Sequence, residues 1–266
     1  MNQRHTFFAA VVTFLCLFVI SSAAGVVPDP FYYGYINYQQ QQEVLEVGPG
    51  SYSLGPGSGL VSAMPNAAVS LNSICAAAYP VTCSLGASLS ITYYFEVTGG
   101  NIGDPVSVFM DSILRSAGTG ANFESFSVAD ALVSLSVNGN TVSHLLQYSC
   151  GPGNCGFQQN WEGTLSMQMA VGDIGTVWIE TDIDTEAGYT GCPTPNCVQG
   201  VATASALADP YLYIDPTTPN AGLYSIVVSP GIGNVPLGST PEPSSVMLFG
   251  SGVAGLAGLL RRKILG

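Results

Sequence analysis

The stretch SLSITYYFEV, residues 88–97, alternates without a break. Leu89, Ile91, Tyr93, Phe95 and Val97 fall on one side, and Ser88, Ser90, Thr92, Tyr94 and Glu96 on the other. A period of two belongs to an extended chain; a helix, at 3.6 residues per turn, cannot gather those five apolar residues on one face. The stretch predicts a strand with one buried face. ALVSLSVNGNTVSHLLQY repeats the pattern through Ala131, Val133, Leu135 and Val137, then meets Asn138-Gly139, the signature of a type I′ turn and a returning strand. GTLSMQMAVGDIGTVWIETDI does so again. It places Leu165, Met167, Met169 and Val171 inward, a turn at Gly172-Asp173, then Val177, Ile179 and Ile183 inward. VATASALA, PYLYI and LYSIVVS supply further strands, and DPVSVFMDSILRSAG reads better as strand than as a helical turn. With no convincing amphipathic helix and turn signals between short strands, the body reads as all-β, an antiparallel sandwich of jelly-roll type.

The flanks differ in composition. Residues 25–65 hold FYYGYINYQQQQ and GPGSYSLGPGSG, rich in Tyr, Gln, Gly and Pro and poor in periodicity. They read as an extended or partly ordered approach segment, with an edge strand near Glu43–Val47. The sandwich is then expected over residues 66–238. Residues 1–24 carry Arg4 and His5, an apolar run over 6–20 and the small residues Ser21, Ser22, Ala23 and Ala24. That order predicts a secretory signal peptide, a signal helix cleaved after Ala24 or, alternatively, Ala23.

Charge excludes whole classes of partner. Between Gly25 and Pro243 the only basic residue is Arg115, against all 17 acidic residues. Such a surface repels phosphate backbones and anionic lipid heads, so nucleic acid is not an expected partner. The body has no lysine and one histidine, His144, on a predicted strand beside Leu145 and Leu146. A Schiff base and a Walker-type site lack their lysine, the choice of base for a nucleophile shrinks to carboxylates, and neither a G-x-S-x-G elbow nor an H-E-x-x-H motif is present. The expectation is a protein that is not an enzyme, with His144 a structural residue.

Carboxylates cluster once. In VWIETDIDTEAG, Glu180, Asp182, Asp184 and Glu186 occupy alternate positions and share the face opposite Ile179 and Ile183. A solvated acidic strand face is one reading, and it would also discourage edge-to-edge association. A calcium site, built from several oxygen ligands, is the other; apart from that reading no cofactor is expected. A hydrolase built on two carboxyl groups is a further reading, but nothing singles out which two.

Cys16 lies in the expected signal peptide. Six cysteines remain, Cys75, Cys83, Cys150, Cys155, Cys192 and Cys197. An even number at short spacings in an exported chain argues for disulfides, and the local pairings Cys75–Cys83, Cys150–Cys155 and Cys192–Cys197 are favoured among fifteen connectivities. Zinc is disfavoured, since C-x4-C is not the usual C-x2-C spacing.

The C-terminal stretch, residues 239–266, holds Pro241-Glu242-Pro243, an uncharged run over 244–260, and then Arg261, Arg262 and Lys263. The run would be about 25 Å long as a helix, just short of a comfortable membrane span. Its basic end would lie in the cytoplasm. This order of elements resembles the PEP-CTERM sorting signal of exported bacterial proteins, whose tails are also catalogued as "ice-binding protein C-terminal" domains. The resemblance covers only the tail. It implies recognition at Pro241, Glu242 and Pro243 by an exosortase, a basic stop at Arg261, Arg262 and Lys263, and a transient transmembrane helix. Signal peptidase and exosortase are then the processing partners. Delivery to the cell surface or exopolysaccharide matrix follows, so the chain is expected to be an exported surface or biofilm-associated protein. The alternative for the body is a carbohydrate-binding module using exposed Tyr and Trp, with or without calcium.

Overall fold

The computed structural model describes residues 26–39, 41–45, 47–77, 82–121, 124–151, 155–188 and 200–236. The expected signal helix, the expected transmembrane helix, the sorting residues Pro241, Glu242, Pro243, Arg261, Arg262 and Lys263, and the pair Cys192 and Cys197 lie outside them. No helix of the described residues is long and apolar enough to cross a membrane.

Two antiparallel sheets pack face to face. The strands are β1 (Phe31–Tyr38), β2 (Gln41–Leu45), β3 (Gly50–Leu54), β4 (Gly57–Ser62), β5 (Ala68–Ala76), β6 (Cys83–Thr98) and β7 (Pro105–Ala121). They continue with β8 (Ser125–Val137), β9 (Asn140–Cys150), β10 (Cys155–Ala170), β11 (Ile174–Ala187), β12 (Val201–Ile214) and β13 (Ser225–Val228). One sheet runs β2-β1-β6-β11-β8-β9, with β13 also pairing β6; the other runs β10-β7-β12-β5-β4-β3. The central pairings are nested. β8 pairs β9, β7 pairs β10, β6 pairs β11 and β5 pairs β12. A long antiparallel ribbon rolled over itself, each successive pair falling in the opposite sheet, is a jelly roll.

Alternation builds the core as expected. Leu89, Ile91, Tyr93, Phe95 and Val97 of β6 are all buried, as are Ala131, Val133, Leu135 and Val137 of β8 and Val177, Ile179 and Ile183 of β11. The other sheet answers with Val106, Val108, Met110 and Leu114 of β7, Leu71 and Val69 of β5, and the small Ala202, Ala204, Ala206 and Ala208 of β12. Asn138 (φ 50°) and Gly139 (φ 79°) form the two-residue turn of the β8–β9 hairpin. Only Gly and Asn take such angles cheaply.

Two sequence expectations need correction. Residues 25–65 contain β1, β2, β3 and β4, which extend both sheets, so the sandwich begins before residue 66, and the edge strand expected near Glu43–Val47 is met by β2 at the end of its sheet. Their poor periodicity reflects Gly-rich, short strands at the sheet margins rather than disorder. The turn at Gly172-Asp173 also differs from a hairpin. It carries the chain from β10 in one sheet to β11 in the other, held by Asp173 N–H donating to the Ala170 carbonyl at 3.0 Å and Ala170 N–H donating to Asp173 Oδ2 at 3.1 Å.

The disulfides sit at such crossings. Cys75 of β5 is bonded to Cys83, the first residue of β6, and Cys150, the last of β9, to Cys155, the first of β10. Each pair of strands lies in different sheets, so each bridge fastens one sheet to the other. Next to the second bridge, rings close the open side of the sandwich. His144 of β9 stacks on Trp161 of β10 with centroids 4.0 Å apart, and Tyr148 meets Phe157 at 4.6 Å.

Candidate functional site, a trough on the outer face of the larger sheet

Residues directly opposed across antiparallel strands point to the same face. Following the register from β1 through β6 to β11 and β8 therefore maps the outer face of the larger sheet row by row. The rows read Phe31, Thr92, Trp178, Ser134; then Tyr33, Ser90, Glu180, Leu132; then Tyr35, Ser88, Asp182, Asp130; then Asn37, Gly86, Asp184, Val128. Read by columns, β1 presents Phe31, Tyr33, Tyr35 and Asn37. β6 presents only small groups, Thr92, Ser90, Ser88 and Gly86. β11 presents Trp178, Glu180, Asp182 and Asp184.

A column of small side chains between two columns of tall ones is a trough. Its walls stand about 9–10 Å apart, two inter-strand spacings, and its four rows span about 20 Å. Sinking between those walls explains why Ser88 and Ser90, on the face expected to be exposed, are only 6% and 7% accessible. At one end the trough opens into a groove of about 410 Å³ whose polar lining is Tyr35, Asn37, Ser84, Asp130, Asp182 and Asp184.

The acidic residues singled out in the sequence lie where expected along β11, with Glu186 one step beyond Asp184, opposite Phe126. The register adds Asp130, directly across from Asp182. Ser88 Oγ donates to Glu180 Oε1 at 3.0 Å, and Gln147 Nε2 donates to Asp130 Oδ2 at 2.8 Å. Burial, and then the Asp182 charge, push the Glu180 carboxyl above its ordinary range. Burial raises Asp182, opposed by hydrogen bonds from Ser88 and Glu180. Burial also raises Asp184, helped by Glu186. It raises Asp130 as well, opposed by Gln147 and reinforced by Asp182. Among the described residues, no group of three or more His, Cys, Asp or Glu side chains is gathered as for a metal ion.

Several acceptors remain unused. Asn37 Oδ1 and Asp130 Oδ1 are buried atoms without a hydrogen-bond partner among the described residues. A second aromatic patch lies on the outer face of the smaller sheet, where Tyr213 packs against Phe109 and Tyr211. There Asp111 already accepts from Thr164 and Tyr213, so it offers less to a ligand. The sequence pointed to exposed Tyr as sugar-stacking groups without fixing their positions, and the structure places Tyr33 and Tyr35 on the trough wall. Sequence reading missed Asn37, Ser88, Ser90, Gly86 and Asp130.

Fold and face together define a jelly-roll sandwich with an acidic, aromatic-walled outer trough. Residues 239–263 match the family model of the PEP-CTERM protein-sorting motif, so the chain carries that motif, which implies export, processing by exosortase after membrane anchoring, and a destination at the cell surface. No curated protein matches the chain. Among solved structures it is similar to TmCBM61 in complex with beta-1,4-galactotriose, with a TM-score of 0.18 and 11% identity over 68% of this chain and 88% of that one. The sandwich itself is read from the chain's own strand pairing.

Proposed function

We propose that the sandwich is a non-catalytic, glycan-associated component of the cell surface or extracellular matrix, delivered there by its sorting tail. The observation that carries the reading is the trough, with aromatic rings on one wall and hydrogen-bonding carboxylates on the other. That pairing of flat apolar faces with oriented polar groups suits ring-shaped, hydroxyl-rich ligands. A binding rather than hydrolytic role is supported by where the carboxylates stand. Glycoside hydrolysis uses two carboxyl groups flanking the scissile bond. Here Glu180, Asp182, Asp184 and Asp130 all lie on the β11 and β8 side, and the β1 wall opposite carries Phe31, Tyr33, Tyr35 and Asn37. The stacking of His144 on Trp161 supports a packing role for that histidine. The reading requires no metal ion.

The test uses the mature protein from its host. Co-sedimentation with the host's extracellular polysaccharide, unchanged by a chelator and without release of reducing ends, is the expected result. Protein left in the soluble fraction would refute the association, and reducing-end release would refute the non-catalytic part.

A further inference from the structure

The trough also carries information about what lies in it. We infer that it binds a linear, uncharged polysaccharide whose chain runs along β6, between the Phe31-Tyr33-Tyr35 wall and the Trp178-Glu180-Asp182 wall. The inference rests on the reading of the body as glycan-associated and specifies both the place and the chemical class.

Shape supplies the first argument. The floor is small over four consecutive rows, Thr92, Ser90, Ser88 and Gly86, so the channel follows the strand for about 20 Å instead of closing into a pit. A channel of that form accepts an extended chain. Gly86 is part of this opening. It lies between Asn37 and Asp184, and the nearest groups to a Cβ placed there are Asn37 Cβ and Asp184 Oδ1, each at 3.9 Å.

The rings supply the second. Trp178 is 40% exposed and Tyr33 37%, and Phe31 is 62% exposed, although all three are large apolar groups on a sheet face. Sugar rings present C–H-rich faces that can cover such surfaces while their hydroxyls stay free to bond at the edges.

Unmet hydrogen bonding supplies the third. Asn37 Oδ1 and Asp130 Oδ1 are buried acceptors without a hydrogen-bond partner among the described residues, beside the nine-tenths buried Ser90 of the floor. Buried polar atoms are ordinarily paired, so these two call for a ligand that brings donors of its own. Hydroxyls are donors; carboxylates and sulfates are not. With Glu180, Asp182, Asp184 and Asp130 on one side and no Lys or Arg on any of the four rows, a polyanion would meet like charge throughout.

Affinity electrophoresis of the mature protein through gels containing galactomannan, arabinoxylan or hydroxyethylcellulose tests the inference, with alginate and chitosan gels as charged comparisons. At least one uncharged polymer is expected to retard the protein. Trp178→Ala and Tyr33→Ala should each weaken that retardation about tenfold. Gly86→Gln fills the floor without removing any contact, so it should abolish retardation while leaving the melting temperature unchanged or higher. Ile74→Ala, on the exposed face of the other sheet, should bind as the parent does.

No retardation by any uncharged polymer, or retardation only by alginate or chitosan, overturns the inference. So does equal retardation of the parent and Gly86→Gln. The two readings fail separately. A Gly86→Gln protein still held by the host's matrix removes the trough and keeps matrix association. Retardation lost in Gly86→Gln, in a protein the host's matrix never holds, does the reverse.

Discussion

Asp130 and Asp182 face each other across adjacent strands, with Glu180 one step along. Like charges directly opposed destabilise a sheet. All of these carboxyls are raised, with burial the leading cause in each. A carboxyl raised in the folded protein holds its proton more tightly there than in the unfolded chain. Between the ordinary carboxylate range and the raised value, stability therefore falls as pH rises. The expected outcome is a lower melting temperature at pH 7 than at pH 5. Asp182→Asn should raise the pH 7 value by about 1–2 °C, corresponding to roughly 0.5 kcal/mol. The gain should vanish near pH 3, where the parent carboxyl is protonated as well. Thermal denaturation at the three pH values checks this, and a variant less stable at pH 7 would contradict it. The four acidic positions on β11 were legible from their spacing alone. Asp130 was not, because its nearness to Asp182 depends on a pairing between strands some fifty residues apart.

Edges and crossings decide how the strands hold together. On β10, a Cβ at Gly163 would come within 2.4 Å of Trp161 Cζ2, so the glycine gives the indole room to lie against His144. Gly163→Ala should displace that ring and cost about 1–3 kcal/mol, seen as a lower melting temperature and a red-shifted tryptophan emission. An unchanged spectrum would show that the ring does not depend on the gap. At the same end of the sandwich as the Cys150–Cys155 bridge, Cys75–Cys83 joins β5 to β6 across the two sheets. Replacing both with alanine should cost about 2–3 kcal/mol, as expected for closing a short loop, measured by denaturant unfolding with the Cys150–Cys155 bridge intact. Sequence spacing suggested these local pairs. It could not say that each spans the two sheets, since a turn between strands looks the same whether the chain returns beside itself or crosses over.

At the scale of the whole molecule, a sorting tail and a lysine-free acidic body serve one itinerary. Removing residues 239–266 is expected to abolish surface delivery, with the body found in the periplasm or medium on cell fractionation; surface levels equal to those of the intact chain would contradict the role of the motif. The sequence by itself determined the strand character of the body, its core residues, its acidity, its cysteine pairs in the described region and its sorting motif. Each of these is written in nearest-neighbour spacing or in composition, and a period of two leaves no choice of buried face. Tertiary structure alone decided that residues 31–62 join the sheets, that the Gly172 turn changes sheet, and that Tyr33 and Tyr35 stand across a floor of Ser88 and Ser90 from Glu180 and Asp182. Those relations come from register between distant strands, and alternation says which way a side chain points but not which strand lies beside it.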